Sequence, residues 1–101
     1  MAIRMLGIHY PRADSLDDFI QRTCRVAAFL RSQADCLDVD VWRTVAGDAV
    51  VSSAVFQTPE ALQAALAATR DLPEIAFDDR ETQHRQIFQL VQPDQTSGEP
   101  L

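Results

Sequence analysis

The sequence predicts an α+β fold: a four-stranded antiparallel sheet with both helices on one face. Three observations predict it. Apolar residues recur every three to four positions in two separate segments, they alternate every second position in others, and the order along the chain is strand, helix, strand, strand, helix, strand.

Residues 3–10, IRMLGIHY, are rich in β-branched and aromatic side chains and stop at Pro11, so they read as the first strand. Ser15 with Asp18 three positions on resembles a capping box, the acid also suiting the positive end of a helix. Leu16, Phe19, Ile20, Thr23, Ala27 and Leu30 then repeat at helical spacing, with Val26 widening the stripe, and predict a helix over 15–33. Residues 37–45 alternate, with Leu37, Val39, Val41 and Val45 on one face and Asp38, Asp40, Trp42 and Thr44 on the other. The glycine in AGD allows a tight reversal into AVVSSAVFQ, giving a hairpin over 37–57. Thr58 caps a second helix with Pro59 in its first turn, ending near Arg70, and 84–92 forms the last strand. For 71–83 a helical turn beginning at Pro73 and an irregular connection are both open.

Two strand–helix–strand halves make a ferredoxin-like βαββαβ sandwich. Residues 1–92 are expected to form one domain, and 93–101 a mobile polar tail. The strands carry apolar residues on both sides, whereas two helices cover only one. A second copy packed on the other face, in a homodimer, is the expected remedy.

Composition removes several classes of function. Fifteen acidic residues against nine basic ones give a formal charge of −6, a field that repels phosphate backbones, so no nucleic-acid partner is expected. No apolar run approaches the ~20 residues that span a bilayer, so no membrane partner is expected and the protein is read as cytoplasmic. All nine basic residues are arginine, and without lysine neither Schiff-base chemistry nor a pyridoxal anchor exists. Three unclustered glycines form no phosphate-cradling loop. His9, His84 and the acids show no metal-ligand spacing, so neither a metal nor a cofactor is expected. Cys24 and Cys36 read as buried thiols.

Two stretches carry a resemblance. QADCLDVDVWR, where the first helix passes into a strand, is similar to the Gln-Pro-Gly-Cys-Leu junction of the antibiotic biosynthesis monooxygenase-like domains of the dimeric α+β barrel group. VFQTPEAL at 55–62 is similar to that family's Trp-Glu-Ser-x-Glu-Ala-Leu passage, and the order of elements matches over about residues 3–92. The resemblance implies a dimeric barrel, a pocket between sheet and helices, and cofactor-independent oxygenation of a small aromatic substrate of quinol or anthrone type. The chain also departs from the pattern. Phe56 stands at the family's tryptophan, Ala54 at its glutamate and Ala65 at its helix histidine, and asparagine, associated with the pocket of quinone-forming and haem-degrading members, is absent from the whole chain.

The candidate site residues follow. Phe56 and, two positions earlier on the same strand face, Ser52 are expected at the pocket. Trp42 is either a pocket wall, an interface anchor beside Asp38 and Asp40, or plain core. His9 is the candidate base, Arg43 the candidate balance for developing negative charge, and His84 a further substrate contact. Three functions remain: a cofactor-independent oxygenase, a proton-transfer isomerase on the same scaffold, and a non-catalytic dimeric module that binds a small ligand.

Overall fold

A computed structural model describes residues 1–93. It contains β1 (Ile3–His9), α1 (Leu16–Arg31), β2 (Cys36–Arg43), β3 (Val50–Phe56), α2 (Pro59–Thr69) and β4 (Gln86–Leu90), with short 3-10 turns at Ala13–Ser15 and Pro73–Ile75. The strands form one antiparallel sheet in the order β2-β3-β1-β4, the ferredoxin-like arrangement expected from the βαββαβ order. The second 3-10 turn resolves the ambiguity over 71–83 in favour of a turn beginning at Pro73. The tail expected over 93–101 lies, beyond Pro93, outside the described residues.

Register determines which side chains meet the helices. Ile3 opposes Phe56, Met5 opposes Ala54, Gly7 opposes Ser52 and His9 opposes Val50; directly opposed residues share a sheet face. Across the next pairing Val39 opposes Ala54 and Val41 opposes Ser52. This face packs on Ala27 and Leu30 of α1 and Leu62 and Ala65 of α2, with Phe56 and Leu62 completely buried. Each such aliphatic side chain contributes roughly 1.5–3 kcal/mol. Thr58 caps α2 as its sequence suggests, its Oγ1 accepting from the Ala61 N–H at 3.1 Å.

Four local expectations are corrected. Ser15 makes no side-chain cap: a 3-10 turn runs directly into α1, Ser15 lacks the extended backbone of a capping residue, and its hydroxyl turns to Asp14. Leu37 sits in a bulge between Cys36 and Asp38, which throws it outward at 56% exposure while Val39 stays inside. Val45 is fully exposed because β2 ends at Arg43. There Thr44 Oγ1 accepts from the N–H groups of Asp48 and Ala49, and Gly47 takes φ 77°, closing a loop in place of further strand. Cys24 is exposed on α1 and Cys36 half-buried, so neither is the buried thiol expected.

The opposite sheet face carries Leu6, Ile8, Trp42, Val51, Val55, Phe88 and Leu90 and is covered by neither helix. Trp42 is 64% exposed and Phe88 43%. The strands are thus apolar on both sides, as their composition indicates.

Candidate functional site

Between the inner sheet face and α1 lies a cavity of about 250 Å³, walled largely by apolar side chains such as Met5, Phe19, Val26, Leu30 and Ile87. Its polar groups gather where β1 ends. His9 is the last residue of β1 and Ser52 opposes Gly7 beside it. A Cβ on Gly7 would stand 3.1 Å from His9 Nε2 and 3.0 Å from Ser52 Oγ, so the missing side chain leaves the space into which both polar atoms project.

The segment after α2 completes this end. The Arg12 N–H donates to the Arg80 carbonyl at 2.7 Å and the Thr82 N–H to the Tyr10 carbonyl at 2.8 Å, with Pro11 and Glu81 bridged between them. This clip holds Glu81 against His9. The Glu81 side chain is wholly buried, the His9 side chain is 12% exposed, and Oε1 and Nδ1 are 3.5 Å apart. That is longer than a well-formed hydrogen bond, but neither atom has another protein partner. The arrangement assigns the neutral imidazole's proton to Nδ1 and leaves the Nε2 lone pair free.

Two arginines compensate the buried carboxylate. Arg85 donates to Glu81 Oε2, and Arg22 lies 3.8 Å from the same oxygen. Arg22 is itself buried, stacks over Phe19 at 4.5 Å, and donates to the Ala76 carbonyl at 3.2 Å and Asp78 at 3.4 Å. Asp78 also accepts from the side chain and backbone of Arg80, which hold its pKa at about 2. Burial lowers the pKa of Arg22. Burial first, and then Arg85, lower that of His9 against the opposing pull of Glu81, so His9 is neutral at pH 7 and able to accept a proton.

The six candidate residues do not converge. His9 and Ser52 line the cavity together. Phe56 keeps the expected sheet face but is consumed by the core between Ile3 and the helices, outside the cavity wall. Trp42 opposes Val51 on the uncovered sheet face, so of the positions considered for it the register selects the outer one. Arg43, the last residue of β2, stands in the same row of the sheet as Val50 and His9, two strands from His9, but does not line the cavity. His84 precedes β4 and stacks on Phe77 with ring centroids 4.8 Å apart, also away from the cavity.

Sequence reasoning passed over Glu81, Arg22 and Arg85. Arg22 carried a signal, since it lies three residues after Phe19 and four before Val26 on the stripe that packs inward. Glu81 carried none, because it lies in a segment without periodicity and is positioned only by long-range backbone hydrogen bonds.

The fold recurs in solved structures. SnoaB from Streptomyces nogalater, described as a cofactor-independent oxygenase and solved in a mutant form, superposes with a TM-score of 0.78 at 18% identity, over 94% of this chain and 96% of that one. An antibiotic biosynthesis monooxygenase superposes with a TM-score of 0.76 at 14% identity, over 91% and 99% of the two chains. Rv0793 from Mycobacterium tuberculosis gives 0.72 at 15% identity, over 95% and 99%. No family sequence model and no curated protein matches the chain. At these identities the likeness is one of fold, and the fold is the one the two sequence stretches implied.

Proposed function

We propose that this chain is an antibiotic biosynthesis monooxygenase-like protein that oxygenates a small aromatic substrate of quinol or anthrone type without a cofactor. The observation that carries the reading is His9: a neutral, largely buried imidazole backed by the buried carboxylate of Glu81 at the wall of an otherwise apolar cavity. The described activity of SnoaB, on the same fold, supports it. His9 Nε2 takes the acidic proton of a substrate methylene or phenol. In the methylene case the carbanion reduces dioxygen, forming a C–O bond, and the resulting hydroperoxide loses water to leave a carbonyl. The CH2 group and O2 become C=O and H2O, with the substrate supplying all the electrons. The apolar walls exclude water from the anion, and Ser52 contributes a hydroxyl beside the base.

The partner we propose is a second copy of the chain, packed through the uncovered sheet face. Its apolar side chains and exposed Trp42 support this. No helix among the described residues is long and apolar enough to cross a membrane. Two free thiols fit a reducing compartment, the cytoplasm.

The test is oxygen uptake by dialysed, chelator-treated protein over a panel of anthrones and quinols. Turnover should survive that treatment, and His9→Ala should lower it by about 10²-fold, the low end for a lost general base. If nothing in the panel is consumed faster than in buffer while some compounds bind reversibly, the oxygenase reading fails and the chain is a ligand-binding module.

A further inference from the structure

The uncovered sheet face is apolar but not uncharged. Asp38, Val55 and Arg4 lie in one row across β2, β3 and β1, and Asp40 and Trp42 open the next two rows on β2. One cation therefore stands near the middle of the face and two acids at its β2 edge. Asp38 and Arg4 are exposed and Asp40 is half-buried. Arg4 donates to the neutral hydroxyl of Ser53, and among the described residues none of the three charges forms an ion pair. Two strand spacings, roughly 9–10 Å, hold the cation and the acids of one chain apart. Covering this face strips water from Arg4, and a buried charge left without a partner is strongly destabilising. Whatever covers the face must bring acids to Arg4 and a cation to the β2 edge, and a second copy of the chain brings both.

We propose that two copies are oriented and matched by a pair of symmetry-related contacts, in each of which Arg4 of one copy meets the acidic edge, Asp38 and Asp40, of the other. The inference rests on the homodimer proposed above and adds to it the orientation of the copies and their selectivity. Sheets packed with their strands aligned are related by a two-fold axis lying between them, either across the strands or along them. An axis across the strands sets each strand against its own copy, which brings Asp40 against Asp40 where the axis passes their row and leaves Arg4 over the row of Trp42 and Ile8. Like charges so juxtaposed oppose docking. An axis along the strands sets β1 of one copy over β3 of the other and keeps every row in place, so Arg4 stands over Val55, one strand spacing of about 4.8 Å from Asp38. The planar guanidinium then has carboxylates within its reach, twice per dimer. A foreign sheet without this pattern leaves the same charges unpaired, so the contacts restrict the face to its own kind.

The test is a charge exchange read by sedimentation and native mass spectrometry. Arg4→Glu sets an acid against the acidic edge of its twin, and the double variant Asp38→Arg with Asp40→Arg sets arginines against Arg4. Each alone should self-associate at least about 100-fold more weakly than the parent. Mixed in equal amounts they restore opposite charges at both contacts, and a dimer holding one chain of each should form with an affinity close to the parent's. That recovery also shows both chains to be folded. The neutral variants Arg4→Gln and Asp38→Asn with Asp40→Asn, which introduce no new charge, should each weaken the dimer at least about 10-fold, with no gain on mixing. Variants that associate as the parent does, or a mixture without preference for the mixed dimer, overturn the inference while the parent's dimer stands. A parent that remains a single chain overturns it together with the dimer.

Discussion

Replacing Glu81 by glutamine keeps the shape of the side chain and removes its charge, leaving two arginines against an uncharged amide. Glu81 is fully buried and Arg22 is 3% exposed, so solvent screening between them is small. At 3.8 Å and an effective dielectric of 20, their attraction is about 4 kcal/mol. The relieved desolvation of the carboxylate offsets part of this, while the Arg85 pair adds to it. The expected net loss is about 3–5 kcal/mol, the range for breaking a buried pair from one side. A domain of this size has roughly 5–15 kcal/mol in total, so the variant should be close to unfolding. Urea denaturation at neutral pH measures it: the midpoint should fall sharply with the slope m unchanged. A loss under about 1 kcal/mol would refute the view that Glu81 is the centre of charge that anchors the 78–85 segment to the end of β1.

Three further outcomes are expected. The His9 imidazole binds its proton near pH 6.5 when unfolded and at lower pH when folded, so between those values the unfolded chain holds more protons. Stability contributed by neutral His9 is therefore complete above pH 6.5 and falls as pH drops toward the lowered folded value, and a His9→Gln variant should show a flatter dependence in urea midpoints across that window. Light scattering at micromolar concentration should give twice the chain mass, and Trp42→Glu, which sets a charge on the exposed outer face, should shift it toward the single chain; a parent that remains a single chain would remove the dimer. Haemin followed by reductant and oxygen should produce neither a sharp Soret shift nor bleaching, since Ala65, buried on α2, stands at the position that the family resemblance would give to an iron-ligating histidine; tight stoichiometric binding would contradict this.

The fold was legible because its signals are local and periodic. The stripe of Phe19, Thr23, Ala27 and Leu30 faces the core, Thr58 and Pro59 start α2, and the both-sided apolar pattern of Val50, Val51, Val55 and Phe56 foretold a sheet with an uncovered face. Errors arose where one hydrogen-bonding choice overrode a pattern, as at the bulge that exposes Leu37 and the Thr44 loop that exposes Val45. The site was legible only in part. His9 and Ser52 are brought together by strand pairing and could be guessed from chemistry plus topology. Phe56 and Trp42 show the limit: one register gives the first to the core and the second to the outer face, and residue type alone cannot tell wall from filler. Glu81 and Arg85 depend on contacts between an irregular segment and the end of β1, and a single sequence contains no periodic trace of those.

The proposal under test is that the cavity around His9 oxygenates the methylene carbon of an anthrone-type substrate with dioxygen alone. Labelled dioxygen tests it most directly, with dialysed, chelator-treated protein, an anthrone-type substrate and rapid quenching for mass spectrometry. One labelled oxygen atom should enter each product molecule and the other should appear as water, at a rate that falls about 10²-fold in His9→Ala. Incorporation no faster than in buffer, or a rate indifferent to His9, would contradict the account.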